Sequence, residues 1–178
     1  MKKLLFFAAI LLIQSTITAQ VFSTGQTLKK NTLSLGINPV FMDNGPSDGL
    51  NVYFHGGYGL KDGVDFAVKF GVGNSKYIGT DLEWALGKNF SLTTGGHMFN
   101  DFGLDVALLG TIPIRKDADL YLGIDADIVF ANDVLVPIWV PVGIELGLSK
   151  NMALILEGEI AIVDDAYHIF GGGLNFYF

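Results

Sequence analysis

The sequence predicts an all-β fold, a transmembrane antiparallel up-and-down β-barrel of about ten strands, and three observations carry that reading. Apolar side chains recur at every second position along most of the chain. The alternating stretches are joined by short links of two kinds, and the face opposite the apolar one is crowded with glycine and carboxylates. Period two is the spacing of a strand with two unlike faces. No aliphatic run at helical spacing follows the first twenty residues, so no helix is expected.

The chain opens "MKKLLFFAAILLIQSTITAQ". Two lysines, an apolar run from Leu4 to Ile13 and a small-residue segment closing on Ala19 have the layout of a secretory signal peptide. The run falls short of the roughly 20 apolar residues that a membrane-spanning helix needs. Residues 1–19 are therefore expected to be the signal peptide, leaving a chain that starts at Gln20. The sequence has no cysteine, which excludes a lipoprotein anchor, a disulfide framework and thiolate metal sites together. A net charge of −7 with eleven basic residues argues against nucleic acid, whose phosphates need clustered Lys and Arg.

Ten strands are expected, near residues 32–41, 50–60, 64–73, 77–86, 90–99, 102–114, 119–131, 135–148, 152–163 and 167–178. In "VDFAVKFGVG" the side chains of Val64, Phe66, Val68, Phe70 and Val72 share one face. In "DLYLGIDADIVF" Leu120, Leu122, Ile124, Ala126, Ile128 and Phe130 share one face, and Asp119, Tyr121, Gly123, Asp125, Asp127 and Val129 the other. The links Lys61-Asp62-Gly63, Gly87-Lys88-Asn89 and Ser149-Lys150-Asn151 end on Gly or Asn, which tolerate a left-handed third position in a hairpin loop. With Arg115 to Ala118 they are the basic links. The others, around Asp43 to Gly49, Asn74 to Lys76, Asn100-Asp101, Asn132-Asp133 and Asp164-Asp165, are acidic. Every second connection thus lies at the same end, as in a meander. "VLVPIWVP" from Val134 is irregular: Pro137 and Pro141 remove ladder donors, so this strand is expected to start late, carry a bulge or belong partly to a loop. Eight strands is the alternative count.

Alternation does not say which face is wet, but the composition of the second face does. Of the eleven basic residues only Lys69 falls mid-strand, and more than half of the 23 glycines, among them 57, 71, 95, 103, 143 and 173, fall on the polar face. Glycine weakens an open strand but suits the crowded interior of a small barrel. An apolar exterior around a polar, closed interior leaves no backbone unpaired in lipid, which sets the transmembrane barrel above an exported soluble sandwich or lipocalin-like barrel.

The chain ends "GGGLNFYF", and Phe170, Leu174, Phe176 and Phe178 alternate on the outward face. A terminal phenylalanine with apolar residues at alternate positions before it resembles the C-terminal signal by which Gram-negative outer-membrane barrels are recognised for insertion. The hairpin pattern extends the likeness, so the chain is similar to the small barrels of the OmpX, OmpA and OmpW type, without their detailed motifs. The resemblance implies a place in the cell outer membrane, contact with its lipid, recognition by the barrel assembly machinery, and both termini in the periplasm. Residues 20–31 are then a periplasmic N-terminal segment and 32–178 the barrel, with basic turns periplasmic and acidic tips extracellular. The family pattern supplies no active site and no cofactor. The tips depart from it, for four of the five are only about three to five residues long where small barrels usually carry longer extracellular loops.

The lumen face by parity holds Asp65, Asp81, Glu83, Asp105, Asp119, Asp125, Asp127, Glu145, Glu157 and Glu159 against Lys69 alone, with His55 and His97 on the same side. A ring of carboxylates in a low-dielectric wall focuses a negative potential, so any passage would admit small cations and reject anions. The same acids could instead be hydrogen-bonded packing in a plugged, structural barrel. Asp125-x-Asp127 and Glu157-x-Glu159 set carboxylates about 7 Å apart, but without a compact ligand loop they are read as lining rather than as a metal site. The glycine pairs precede no helix and cradle no phosphate. An enzyme is not expected, and a surface-facing interaction protein or a lipid-modifying enzyme is the alternative function. Finally, a Lys61-Asp62-Gly63 loop places His55 opposite Lys69, and a three-residue tip at Asn74 to Lys76 places Lys69 beside Asp81, so a His55, Lys69, Asp81 row is expected.

Overall fold

A computed structural model describes residues 26–43, 49–74, 76–164 and 166–178. The expected signal peptide, residues 20–25, and the tip residues 44–48, 75 and 165 lie outside the described residues. Eleven strands follow in chain order: β1 (Leu33–Asp43), β2 (Gly49–Lys61), β3 (Val64–Gly73), β4 (Tyr77–Ala85), β5 (Phe90–Phe99), β6 (Asp101–Arg115), β7 (Ala118–Phe130), β8 (Val134–Leu135), β9 (Ile138–Ser149), β10 (Met152–Ala161) and β11 (His168–Tyr177). Consecutive strands pair antiparallel, except that β9 pairs with β7 rather than with β8, and β1 pairs with β11 to close the ring. The two residues of β8 only lengthen the pairing at the upper end of β7. The result is a closed barrel of ten strands, which excludes the eight-strand alternative.

Every barrel strand turns large apolar side chains outward, from Leu35 and Ile37 on β1 to Phe170 and Phe176 on β11. An unbroken exposed apolar belt around a closed sheet is stable only in lipid, because the backbone is paired within the ring and the belt has no water to avoid. Strand lengths suit this, since about 9 to 11 tilted residues span the hydrocarbon. At the seam the Leu33 amide donates to the Phe178 carbonyl at 3.0 Å, and the Phe178 amide donates to the Leu33 carbonyl at 2.8 Å. The terminal phenylalanine therefore contributes the last rung of closure as well as an aromatic ring.

The links are sorted to two ends as the meander requires. The turn end carries both barrel termini and the basic links, and the tip end carries the acidic ones. Gly63 takes the left-handed conformation expected of it (φ 78°). Asn89 and Asn151 do not. The Gly87 link closes instead by Leu86 N–H donating to the Phe90 carbonyl, and Asn151 spends its side chain donating to the Tyr177 carbonyl at 2.8 Å. The left-handed asparagines are Asn31 (φ 65°), ahead of β1, and Asn100 (φ 63°), the single residue joining β5 to β6. The proline segment breaks where expected: pairing to β7 lapses at Val136 and Pro137, whose carbonyl accepts from the Asp127 amide, and β9 starts at Ile138.

Candidate functional site

Strand pairing stacks the inward residues in rows, and one row crosses four strands. Asp81 on β4 lies opposite Gly95 on β5, Gly95 opposite Asp105 on β6, and Asp105 opposite Asp127 on β7. Gly95 is the gap in that row. A Cβ there would collide with Asp81 Oδ1 and lie 3.1 Å from Asp105 Oδ2, so both carboxylates lean into the space it leaves.

Three bases, His55, Lys69 and His97, stand one residue pair nearer the tips. Lys69 on β3 lies opposite His55 on β2 and Gly79 on β4, and its Nζ reaches diagonally to Asp81 Oδ2 at 2.6 Å. His97 on β5 lies opposite Gly103, with its ring over that glycine. Its Nδ1 is 2.5 Å from Asp105 Oδ1, and its Nε2 is 3.9 Å from Asp127 Oδ2.

The expected row is therefore corrected in its second half. His55 does face Lys69, but Lys69 faces Gly79, and Asp81 faces Ala67. The β3–β4 ladder ends at Gly71 and Tyr77, two residues short of a tight tip, because Gly73 (φ 147°) leaves β4 while staying paired with Asn51 on β2. The ion pair forms all the same, since a lysine stem spans the diagonal between neighbouring strands.

These groups floor a cavity of about 170 Å³ whose walls rise toward the tip end. The wall is aromatic. Tyr77 is its hub, with ring centroids 5.2 Å from Tyr53, 5.4 Å from His97 and 6.3 Å from Phe99. Opposite, Trp139 Nε1 donates to the Tyr167 carbonyl at 2.7 Å and the two rings meet edge to face. Sequence reasoning passed over this collar, although parity places Tyr53 with His55, Tyr77 with Asp81 and Phe99 with His97.

Toward the turn end, past Thr93, Ala107 and Asp125, the lumen is filled. Tyr121, Ile155, Ser34, Ser91 and Asn175 are fully buried, and Leu28, from the segment ahead of β1, is 2% exposed and packs with Ala153 and Tyr177. No alternation announces Leu28, which no sequence pattern could have placed. The acids here have fixed donors: Asp65 Oδ2 accepts from the Leu28 amide at 2.6 Å, and Glu145 accepts from the Tyr177 hydroxyl at 3.1 Å.

Of the residues singled out in the sequence, His55, Lys69, Asp81, His97, Asp105, Asp125, Asp127 and Glu159 come together around the cavity. Asp65, Glu83 and Glu145 sit in the filled half, and buried Glu157 lies between Gly143 and Gly171. In the terminal strand Phe170 and Phe176 are exposed outward, while Leu174 and Phe178 are half-buried.

Among solved structures the chain is similar to the Acinetobacter baumannii outer membrane protein Omp33, at 12% identity over 84% of this chain and 99% of that one, with a TM-score of 0.47. It is similar to the N-terminal β-barrel domain of Pseudomonas aeruginosa OprF at 12% identity over 84% and 98%, TM-score 0.40. The Yersinia pestis outer membrane protein Ail in a nanodisc is 11% identical over 84% and 100%, TM-score 0.42. No protein-family model and no curated protein matches the chain. The barrel rests on its strand pairing and exposed belt, not on these likenesses.

Proposed function

We propose that the protein is an outer-membrane β-barrel whose lumen is a blind, cation-accepting cavity open at the extracellular tips. The apolar belt and the terminal phenylalanine pattern support the membrane and the use of the barrel assembly machinery. One observation carries the functional part: among the described residues Asp81, Asp105, Asp125, Asp127 and Glu159 line the cavity with Lys69 as the only lysine, while the lumen beneath is packed. Between a cation-preferring passage and a structural barrel, the packed half favours a barrel with a binding cavity over a through passage. Carboxylates behind a low-dielectric wall raise the local concentration of cations by about 10-fold or more.

The absence of native cysteine makes a direct test available. Met42 lines the cavity away from its charged floor, so Met42→Cys places one thiol there. In the reconstituted barrel a cationic thiosulfonate reagent is expected to modify it at least about 10-fold faster than an anionic one of similar size. Equal rates, anion preference or no reaction would sink the reading.

A further inference from the structure

We propose that His97 and Asp127, with Asp105 fixing the imidazole from behind, form a binding site for a divalent first-row transition cation, set in the floor of the cavity. The inference rests on the reading of that cavity as cation-accepting and names the ion class it would hold. Three adjacent strands supply these groups, and one potential ligand atom from each lies within 4.8 Å of the others.

The geometry around His97 is that of a metal-ligating imidazole. A carboxylate can only accept, so the contact between Nδ1 and Asp105 puts the proton on Nδ1 and leaves the Nε2 lone pair free. Nε2 faces Asp127 Oδ2 across 3.9 Å, too far for a hydrogen bond but spanned by two metal–ligand bonds of about 2.0 to 2.2 Å. Ligating histidines regularly hold their other N–H on a carboxylate, which fixes the tautomer. Imidazole with carboxylate suits zinc or its neighbours better than calcium, which prefers oxygen alone.

A second observation points to a ligand independently of the cluster. In the residue-pair row directly below, Thr93 and Asp125 flank Ala107 across β5, β6 and β7. Thr93 is 4% exposed, and both its Oγ1 and Asp125 Oδ1 are buried without a hydrogen-bond partner among the described residues. All three residues line the same cavity as the cluster. Two unsatisfied buried acceptors beside a carboxylate pair are costly as they stand, and a hydrated cation above Ala107 supplies water protons to both.

Gly103 is the positioning residue. A Cβ there would lie 2.5 Å from His97 Cε1 and Nε2, and the ring atoms are its nearest neighbours. Gly103→Ala therefore displaces the imidazole while leaving every ligand in the sequence.

The test is equilibrium binding of Zn²⁺ to the purified full-length barrel in detergent, with gel mobility before and after boiling confirming that each variant has closed. One Zn²⁺ per barrel is expected, with affinity reduced about 10- to 100-fold by Gly103→Ala and by Asp105→Asn, and at least as much by His97→Ala. No binding by the wild type, which would mean that a proton occupies Nε2, overturns the site. So does binding that survives both His97→Ala and Gly103→Ala. If Met42→Cys still prefers the cationic reagent in either case, the metal site falls while the cavity stands. If Zn²⁺ binds through His97 and the reagents show no preference, the cavity reading is the one that fails.

Discussion

The two halves of this lumen are cut from the same ten strands by the same alternation, yet they are built for different things. Toward the turns the inward positions carry Tyr121, Leu109, Ile155, Ala153 and Tyr177, and Leu28 is added from outside the sheet. Toward the tips they carry Lys69, Asp81, His97, Asp105, Asp125 and Asp127 under an aromatic collar. Acids in the first half are answered by fixed donors, the Leu28 amide and the Tyr177 hydroxyl. Acids in the second are answered by a lysine and a histidine, Asp81 by Lys69 and Asp105 by His97. A polar barrel interior is thus no uniform lining: one half is packed shut, and the other lines an open cavity.

If that division is right, the largest effect belongs to the filled half. Tyr121→Ala removes a fully buried ring and is expected to cost about 3 to 5 kcal/mol, read from reversible urea unfolding in lipid vesicles. A cost under about 1 kcal/mol would show that the lower lumen is loosely packed. Leu28→Ala comes next, at about 2 kcal/mol, because the segment ahead of β1 can settle into part of the space it vacates. Stability indifferent to this change would mean that the segment does not seal the turn end.

The smallest effect is expected in the open half. Lys69→Met strands the buried Asp81 carboxylate, which would be severe in a dry core, but the lysine side chain is 23% exposed and water in the cavity screens the pair. A loss of about 1 to 2 kcal/mol is expected in the same assay. A loss matching that of Tyr121→Ala would place Lys69 in dry packing and erase the contrast between the halves.

Much of the fold was legible because strand facing is a local property. Ten alternating stretches became the ten barrel strands, and "VLVPIWVP" broke at Pro137 as its missing donor required. Less of the site was legible. The β3–β4 tip closes two residues earlier than its length suggested, so the Lys69 and Asp81 pair forms on a diagonal, and the asparagines expected to be left-handed at positions 89 and 151 are not. Parity could have found Tyr77 and Trp139, but it could not show that their rings converge.

By itself, the sequence determined which side chains face lipid, which face the lumen, and which links share an end, for these follow from a two-residue period that neighbouring residues impose on one another. Only the tertiary structure decided that Asp81, Asp105 and Asp127 fall in one row across β4 to β7, that glycines at 95 and 103 open the space into which Asp81, Asp105 and His97 lean, and that Leu28 fills the lumen at the turn end. The physical reason is register. Closing a ring fixes the stagger of every strand at once, and each tip or bulge along the way shifts what lies opposite by whole residues, so contacts between positions dozens of residues apart are set by the closed barrel and by no stretch within it.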